Sequence, residues 1–197
     1  MKAVMISIQP YWVFLIIAKA MGWEIDKHKE IEARKTYPKA EDWNKVAKIY
    51  CSKDKKSFDK IPEKYRPAMK KFLGKVIGEF VCDRIDTFDV PYPAWSKEYL
   101  KPILNGACLT YSDLHHYIGS GNRGYAWHIS DLVIYDEPKE LSEFFHYCGD
   151  DPKCDGCPAR YFSNTECGKE DYCCSIVDGC KPLTRPPQSW CYVEEKE

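Results

Sequence analysis

The first apolar positions form a short unbroken run, Val4-Met5-Ile6-Ser7-Ile8, whose β-branched residues predict a buried strand. Pro10 can open a helix, and the apolar stretch from Tyr11 to Met21 continues it until Gly22. After a polar turn over 26–29, the segment Glu30-Ile31-Glu32-Ala33-Arg34 alternates. Glu30, Glu32 and Arg34 share one face of a strand, and Ile31 and Ala33 share the other. This is the pattern of a half-buried strand with a charged face, next to Lys29.

Further strands are predicted at Val46–Cys51, Lys75–Ile85 and Tyr125–Tyr135. Residues 52–72 are lysine-rich, carry two prolines, and read as a loop with a short amphipathic helix. Residues 86–98, with Pro91, Pro93 and Trp95, read as a loop. Ser112 to Ile118 fits a helix capped by Ser112, followed by a glycine-rich turn over 119–124. Pro138 would start a last short helix over 139–145. Helices do not alternate regularly with strands, which argues against a doubly wound parallel sheet. An α+β fold with a curled, barrel-like sheet and short flanking helices is the expected architecture.

The net charge of −1 conceals an asymmetry: residues 26–75 hold 16 Lys/Arg against 8 Asp/Glu, whereas residues 148–197 hold 6 against 10. A basic stretch suits a phosphate-bearing partner or a solvated surface. With 44% hydrophobic and 14% aromatic residues, the chain can bury a core, which excludes disorder throughout. No run reaches the ~20 apolar residues of a membrane span. The apolar stretch near Trp12–Ala18 followed by Ala18-Lys19-Ala20 imitates a secretory leader, but Gln9 and Pro10 interrupt the run. The expected location is the cytoplasm.

Eight of the 11 cysteines lie between Cys148 and Cys191. Cys154-Asp155-Gly156-Cys157 is a C-x2-C knuckle, and Cys148, Cys167, Cys173, Cys174 and Cys180 can complete a thiolate site, with His146 as an alternative ligand. Four of these would hold a structural zinc that braces a core-poor insertion. Disulfides in a secreted protein and an iron–sulfur cluster are the alternatives.

Ser7-Ile8-Gln9-Pro10, a helix, then Lys29-x-x-Glu32-x-Arg34 resembles the opening of ASCH domains, PUA-like β-barrels related to RNA- and modified-base-binding modules. Gly74–Phe80 and Tyr125–Ile129 resemble later strands of that family, so the likeness covers about residues 3–145. Arg185-Pro186-Pro187-Gln188-Ser189-Trp190-Cys191-Tyr192-Val193 resembles the closing strand of ASCH proteins of bacteria and their phages. The resemblance implies a barrel made of 1–147 and 184–197, interrupted by a cysteine-rich insertion at 148–183.

It also implies a cleft walled by the Lys29–Arg34 strand that takes RNA or a nucleotide. Arg34 offers a planar fork and Lys29 a compact charge, while Glu32 can accept from an exocyclic amine or orient the two cations. Tyr11, Trp127 and Trp190 are candidates for stacking a base, with core packing as the competing role. Relatives that hydrolyse acylated cytidine use a lysine, a threonine three residues on, and a glutamate in a downstream helix. Others are reported as ribonucleases. Here Lys29 fits the first place, but Glu32 stands where the hydroxyl would be, and the downstream helix offers Asp113, His115 and His116 instead. That departure favours binding over a hydrolase using Lys29 and Glu32. Adjacent helical positions such as His115 and His116 point about 100° apart, so they cannot serve one site equally.

Overall fold

A computed structural model describes residues 2–39, 43–91, 97–146 and 182–195. Its strands are β1 (Ala3–Ile8), β2 (Ile31–Arg34), β3 (Val46–Cys51), β4 (Val76–Val81), β5 (Ile85–Asp89), β6 (Arg123–His128), β7 (Ser130–Lys139), β8 (Phe144–His146) and β9 (Trp190–Glu195). Its α-helices are α1 (Pro10–Ile17), α2 (Lys55–Phe58), α3 (Arg66–Lys70), α4 (Lys101–Ala107) and α5 (Tyr111–Ile118). Six strands form a curled half-barrel in the order β7-β4-β3-β1-β9-β8, and three form a smaller sheet in the order β2-β6-β5. β1 and β3 run parallel, and every other pair of named strands is antiparallel. The α+β, PUA-like architecture expected from the sequence is the one observed.

β1 lies in the interior of the large sheet and is covered on both faces, which is why its sequence is apolar without alternation. Val4, Ile6 and Ile8 join Ala47 and Ile49 of β3 and the buried side of α1 in the main core. Ala3 and Met5 point the other way, against Tyr50, Val76, Phe144 and Val193. The run that imitates a leader is thus the buried helix α1, in which Val13 and Ile17 are fully enclosed. A third cluster lies between the small sheet and the helices α4 and α5, built on Ile31, Ala33, Phe88, Leu114 and Ala126.

The structure corrects several boundaries. Residues 75–85 are not one strand: β4 ends at Val81, and the chain crosses to the small sheet as β5 after Cys82-Asp83-Arg84. Likewise 125–135 breaks at Ile129, with β6 in the small sheet and β7 in the large one. The expected loop over 86–98 is strand up to Asp89, and Pro93 and Trp95 lie outside the described residues. Pro138 does not start a helix; it ends an edge strand, where a missing N–H costs no ladder bond. Residues 139–145 hold only a 3-10 turn, Leu141–Glu143, and the start of β8. α5 begins one turn earlier than expected, capped by Thr110 rather than Ser112.

β8 pairs antiparallel with β9, and Pro182 bridges to Phe145, so the chain re-enters beside the strand it left. The proposed insertion between them, with Cys148, Cys154, Cys157, Cys167, Cys173, Cys174 and Cys180, lies outside the described residues, as does the side chain of His146. Among the described residues no group of three His, Cys, Asp or Glu side chains is placed to hold a metal ion. The described cysteines Cys51, Cys82, Cys108 and Cys191 are free thiols. Burial pushes Cys51 and Cys82 up to about 12. No described helix is long and apolar enough to cross a membrane.

Candidate functional site

β2 keeps the predicted alternation, but neither of its faces is solvated. Ile31 and Ala33 pack on the helices α4 and α5. Lys29, Glu32 and Arg34 are only 4%, 7% and 6% exposed. The half-buried charged face expected from the sequence is therefore an enclosed one. It is enclosed because other segments roof it and supply the polar partners that such burial requires.

Arg34 Nη2 donates to the Ser7 carbonyl at the end of β1 (2.6 Å) and lies 3.0 Å from Glu32 Oε1. Arg34 Nη1 reaches the Ser189 hydroxyl at 3.5 Å. Lys29 Nζ donates to the Ala107 carbonyl at the C-terminal end of α4 (2.9 Å), where the helix dipole favours a cation. It also sits 3.3 Å from Glu32 Oε2 and 5.2 Å from the Trp12 ring centroid. Burial pulls the Lys29 ammonium below the usual lysine range, and the Glu32 carboxylate opposes that shift. Glu32 thus serves as the shared counter-charge of two buried cations.

This triad forms one wall of a cleft of about 880 Å³. The end of β1 and Trp12 of α1 form a second side, and Ser112, Asp113, His116 and Tyr117 of α5 form a third. Pro186, Pro187 and Gln188, just before β9, close it. Three atoms among these linings are buried without a hydrogen-bond partner: Glu32 Oε2, Arg34 Nε and the Ser52 hydroxyl. The Lys29–Glu32 contact is a charge contact rather than an aligned hydrogen bond, so Oε2 keeps its acceptor capacity.

Of the candidates read from the sequence, Lys29, Glu32 and Arg34 converge on the cleft, and Tyr11, Trp127 and Trp190 do not line it. Trp127 is fully buried between Trp43 and Trp190, with centroid separations of 5.9 and 6.2 Å. It stands opposite Glu32 in the β2–β6 register and so backs the triad from inside the core. Trp190 donates its Nε1 hydrogen to Thr36 Oγ1 at 3.0 Å and packs on Tyr192. Tyr11 rests on Trp12 and Phe14. The ring that does face the cleft is Trp12, one residue along, with Tyr117 at the rim. In a helix one step turns the side chain by 100°, and the uniformly apolar α1 gives no face signal to choose between neighbours.

The two histidines of α5 divide as the helical angle requires. His116 lines the cleft and His115 packs on Tyr111. His128 is elsewhere, its Nε2 2.8 Å from Asp86 Oδ2, an acid that the contacts with His128 and Arg84 hold below its usual range despite some burial. Asp113 lines the cleft but already closes a capping box, exchanging hydrogen bonds with Thr110. Those bonds hold its carboxyl below the ordinary value of 3.8. Its stabilising share is therefore complete above that value and lost as the pH falls through the lowered one. Thr110→Ala should raise the Asp113 pKa toward the ordinary value in an NMR pH titration. It should also cost about 1 kcal/mol in urea unfolding at neutral pH.

No protein-family model and no curated protein matches the chain. Two solved structures share its fold. A crystal structure of ASCH from Zymomonas mobilis is 14% identical, with a TM-score of 0.50 over 98% of this chain and 87% of that one. A serine-to-alanine variant of the same protein is 15% identical, with a TM-score of 0.51 over 98% of this chain and 88% of that one.

Proposed function

We propose that this ASCH-fold chain is an RNA- or nucleotide-binding module whose ligand enters the cleft between β2, α1 and α5. The observation that carries the reading is the combination of an enclosed Lys29–Glu32–Arg34 triad with three unpartnered buried polar atoms in one cavity. A folded chain rarely leaves such atoms unsatisfied without a ligand or water to complete them. The cavity volume is that of a small-molecule or nucleotide site, with an aromatic ring, Trp12, beside the polar groups. The basic stretch over 26–75 supplies phosphate-compatible charge around it.

Trp12 is the side chain placed to stack a base. Stacking on an aromatic ring contributes about 1–3 kcal/mol per base. Trp12→Ala should therefore weaken binding of a short single-stranded RNA about tenfold or more in fluorescence anisotropy, while Trp12→Phe keeps most of the affinity. Equal affinity for RNA in the wild type and Trp12→Ala would remove the cleft from the reading.

One observation favours a second reading, a hydrolase in the same cleft. Burial draws Lys29 toward the neutral amine, and a neutral lysine beside a carboxylate is a competent proton acceptor. Turnover of RNA or of acylated nucleosides that disappears in Lys29→Met would establish it. Stoichiometric binding without turnover would leave the module a binder.

A further inference from the structure

The balance of charge in the cleft separates two parts of a nucleotide. Its lining carries two cations, Lys29 and Arg34, and three carboxylates, Glu32, Asp54 and Asp113. Both cations are already engaged. Lys29 is held by the Ala107 carbonyl and Glu32, and Arg34 by the Ser7 carbonyl and Glu32. A phosphate entering here would meet an excess of carboxylates and no cation without a prior partner. Unlike charges can be traded, but each trade would strand Glu32, which is more than nine-tenths buried.

What the cleft lacks is a hydrogen-bond donor. Glu32 Oε2 is an acceptor with no hydrogen bond, and the Ser52 hydroxyl can accept or donate. Arg34 Nε adds one N–H in need of an acceptor. An uncharged group presenting an amine beside a ring nitrogen or carbonyl meets all of these needs, and the Watson–Crick edges of adenine, cytosine and guanine have that form. Trp12, at the same wall, meets the flat face of such a ring.

Resting on the nucleotide-binding reading above, we propose that the cleft takes the nucleobase, an amine-bearing one read by Glu32, and excludes the phosphate, which stays outside. The site is then a nucleoside pocket. Affinity that the chain has for RNA beyond one nucleoside comes from surface outside the cleft.

Isothermal titration with adenosine, cytidine, guanosine, uridine and their 5′-monophosphates tests this. An amine-bearing nucleoside should bind tightest, and its 5′-phosphate should leave the affinity unchanged or weaken it. Its amine-free analogue (purine riboside for adenosine, 2-pyrimidinone riboside for cytidine, inosine for guanosine) should bind about tenfold more weakly. Nucleoside affinity should change less than twofold between 50 and 300 mM salt, since no counterions are released. In Ser52→Ala, which keeps the triad intact, the nucleoside should lose affinity while the ratio of nucleoside to nucleotide binding stays the same. Nucleotides binding tenfold tighter than nucleosides would overturn the proposal and leave the nucleotide-binding reading standing. Uridine binding tightest would overturn the reading by Glu32 of an amine. Failure of every nucleoside, nucleotide and RNA to bind would overturn the underlying function itself.

Discussion

Glu32→Ala should destabilise the chain by about 3–5 kcal/mol, because it strands two buried cations at once. Lys29 and Arg34 are 4% and 6% exposed, and Glu32 is the carboxylate placed against both. Their remaining partners, the Ala107 and Ser7 carbonyls, accept hydrogen bonds but carry no formal charge. Two like charges would then face each other across a cavity of alanine size. Glu32→Gln keeps the shape and an acceptor oxygen and should cost less than Glu32→Ala. Urea unfolding at neutral pH, with unchanged slope, checks both. A loss below about 1 kcal/mol for Glu32→Ala would mean that water reaches the cations and that the triad is not enclosed.

Trp127→Ala should cost a comparable amount, about 3–5 kcal/mol, and for a different reason. Trp127 is fully buried and links Trp43 to Trp190 across the space where the two sheets adjoin. Removing it leaves a cavity directly behind Glu32, its partner in the β2–β6 register. The Trp127 Nε1 hydrogen has no acceptor, so Trp127→Phe removes an unsatisfied donor and should be much milder than Trp127→Ala. In ligand titrations of the folded protein, Trp127→Phe should bind as the wild type does. A selective loss of affinity in Trp127→Phe, without loss of stability, would restore the ring to the ligand site that its sequence position first suggested.

Sequence order alone located the strands whose environment is uniform along their length. Val4–Ile8 and Val46–Cys51 are buried without interruption, and their composition says so. Strands that change sheets were not separable. Cys82-Asp83-Arg84 contains neither glycine nor proline, and Ile129 is an apolar residue between two strands, so nothing local marks either crossing. α4 escaped notice because it contains Pro102 and Gly106, and its N-cap residue, Leu100, makes no side-chain cap bond. The cap of α5, in contrast, was written in the order Thr110-x-x-Asp113, a capping-box spacing that Ser112 obscured.

The polar site divides in the same way. The alternation of Lys29 to Arg34 put the right side chains on one wall, since period-2 geometry needs only local order. Its enclosure came from carbonyls at Ser7 and Ala107 and from the segment over 186–189, which no local pattern connects to β2. The choice of Trp12 over Tyr11 depended on the rotation of α1 about its own axis. That is a tertiary property, set by packing on β1 and β3.

The segment that closes the cleft gives the site a history as well as a shape. Ser189 meets Arg34 across 155 positions of chain, and its carbonyl receives the Ser7 amide hydrogen where β9 docks along β1. Contacts so distant in sequence form late, because the loop they close is costly before they reward it. A nascent chain can assemble β1, α1 and β3 while one long edge of β1 still faces water. Through that interval the buried cations of β2 have one wall fewer, and the chain is both unable to hold its ligand and open to strand pairing with its neighbours. Ligand competence and protection from aggregation are thus acquired in a single step, when residues 186–195 swing in and complete the sheet.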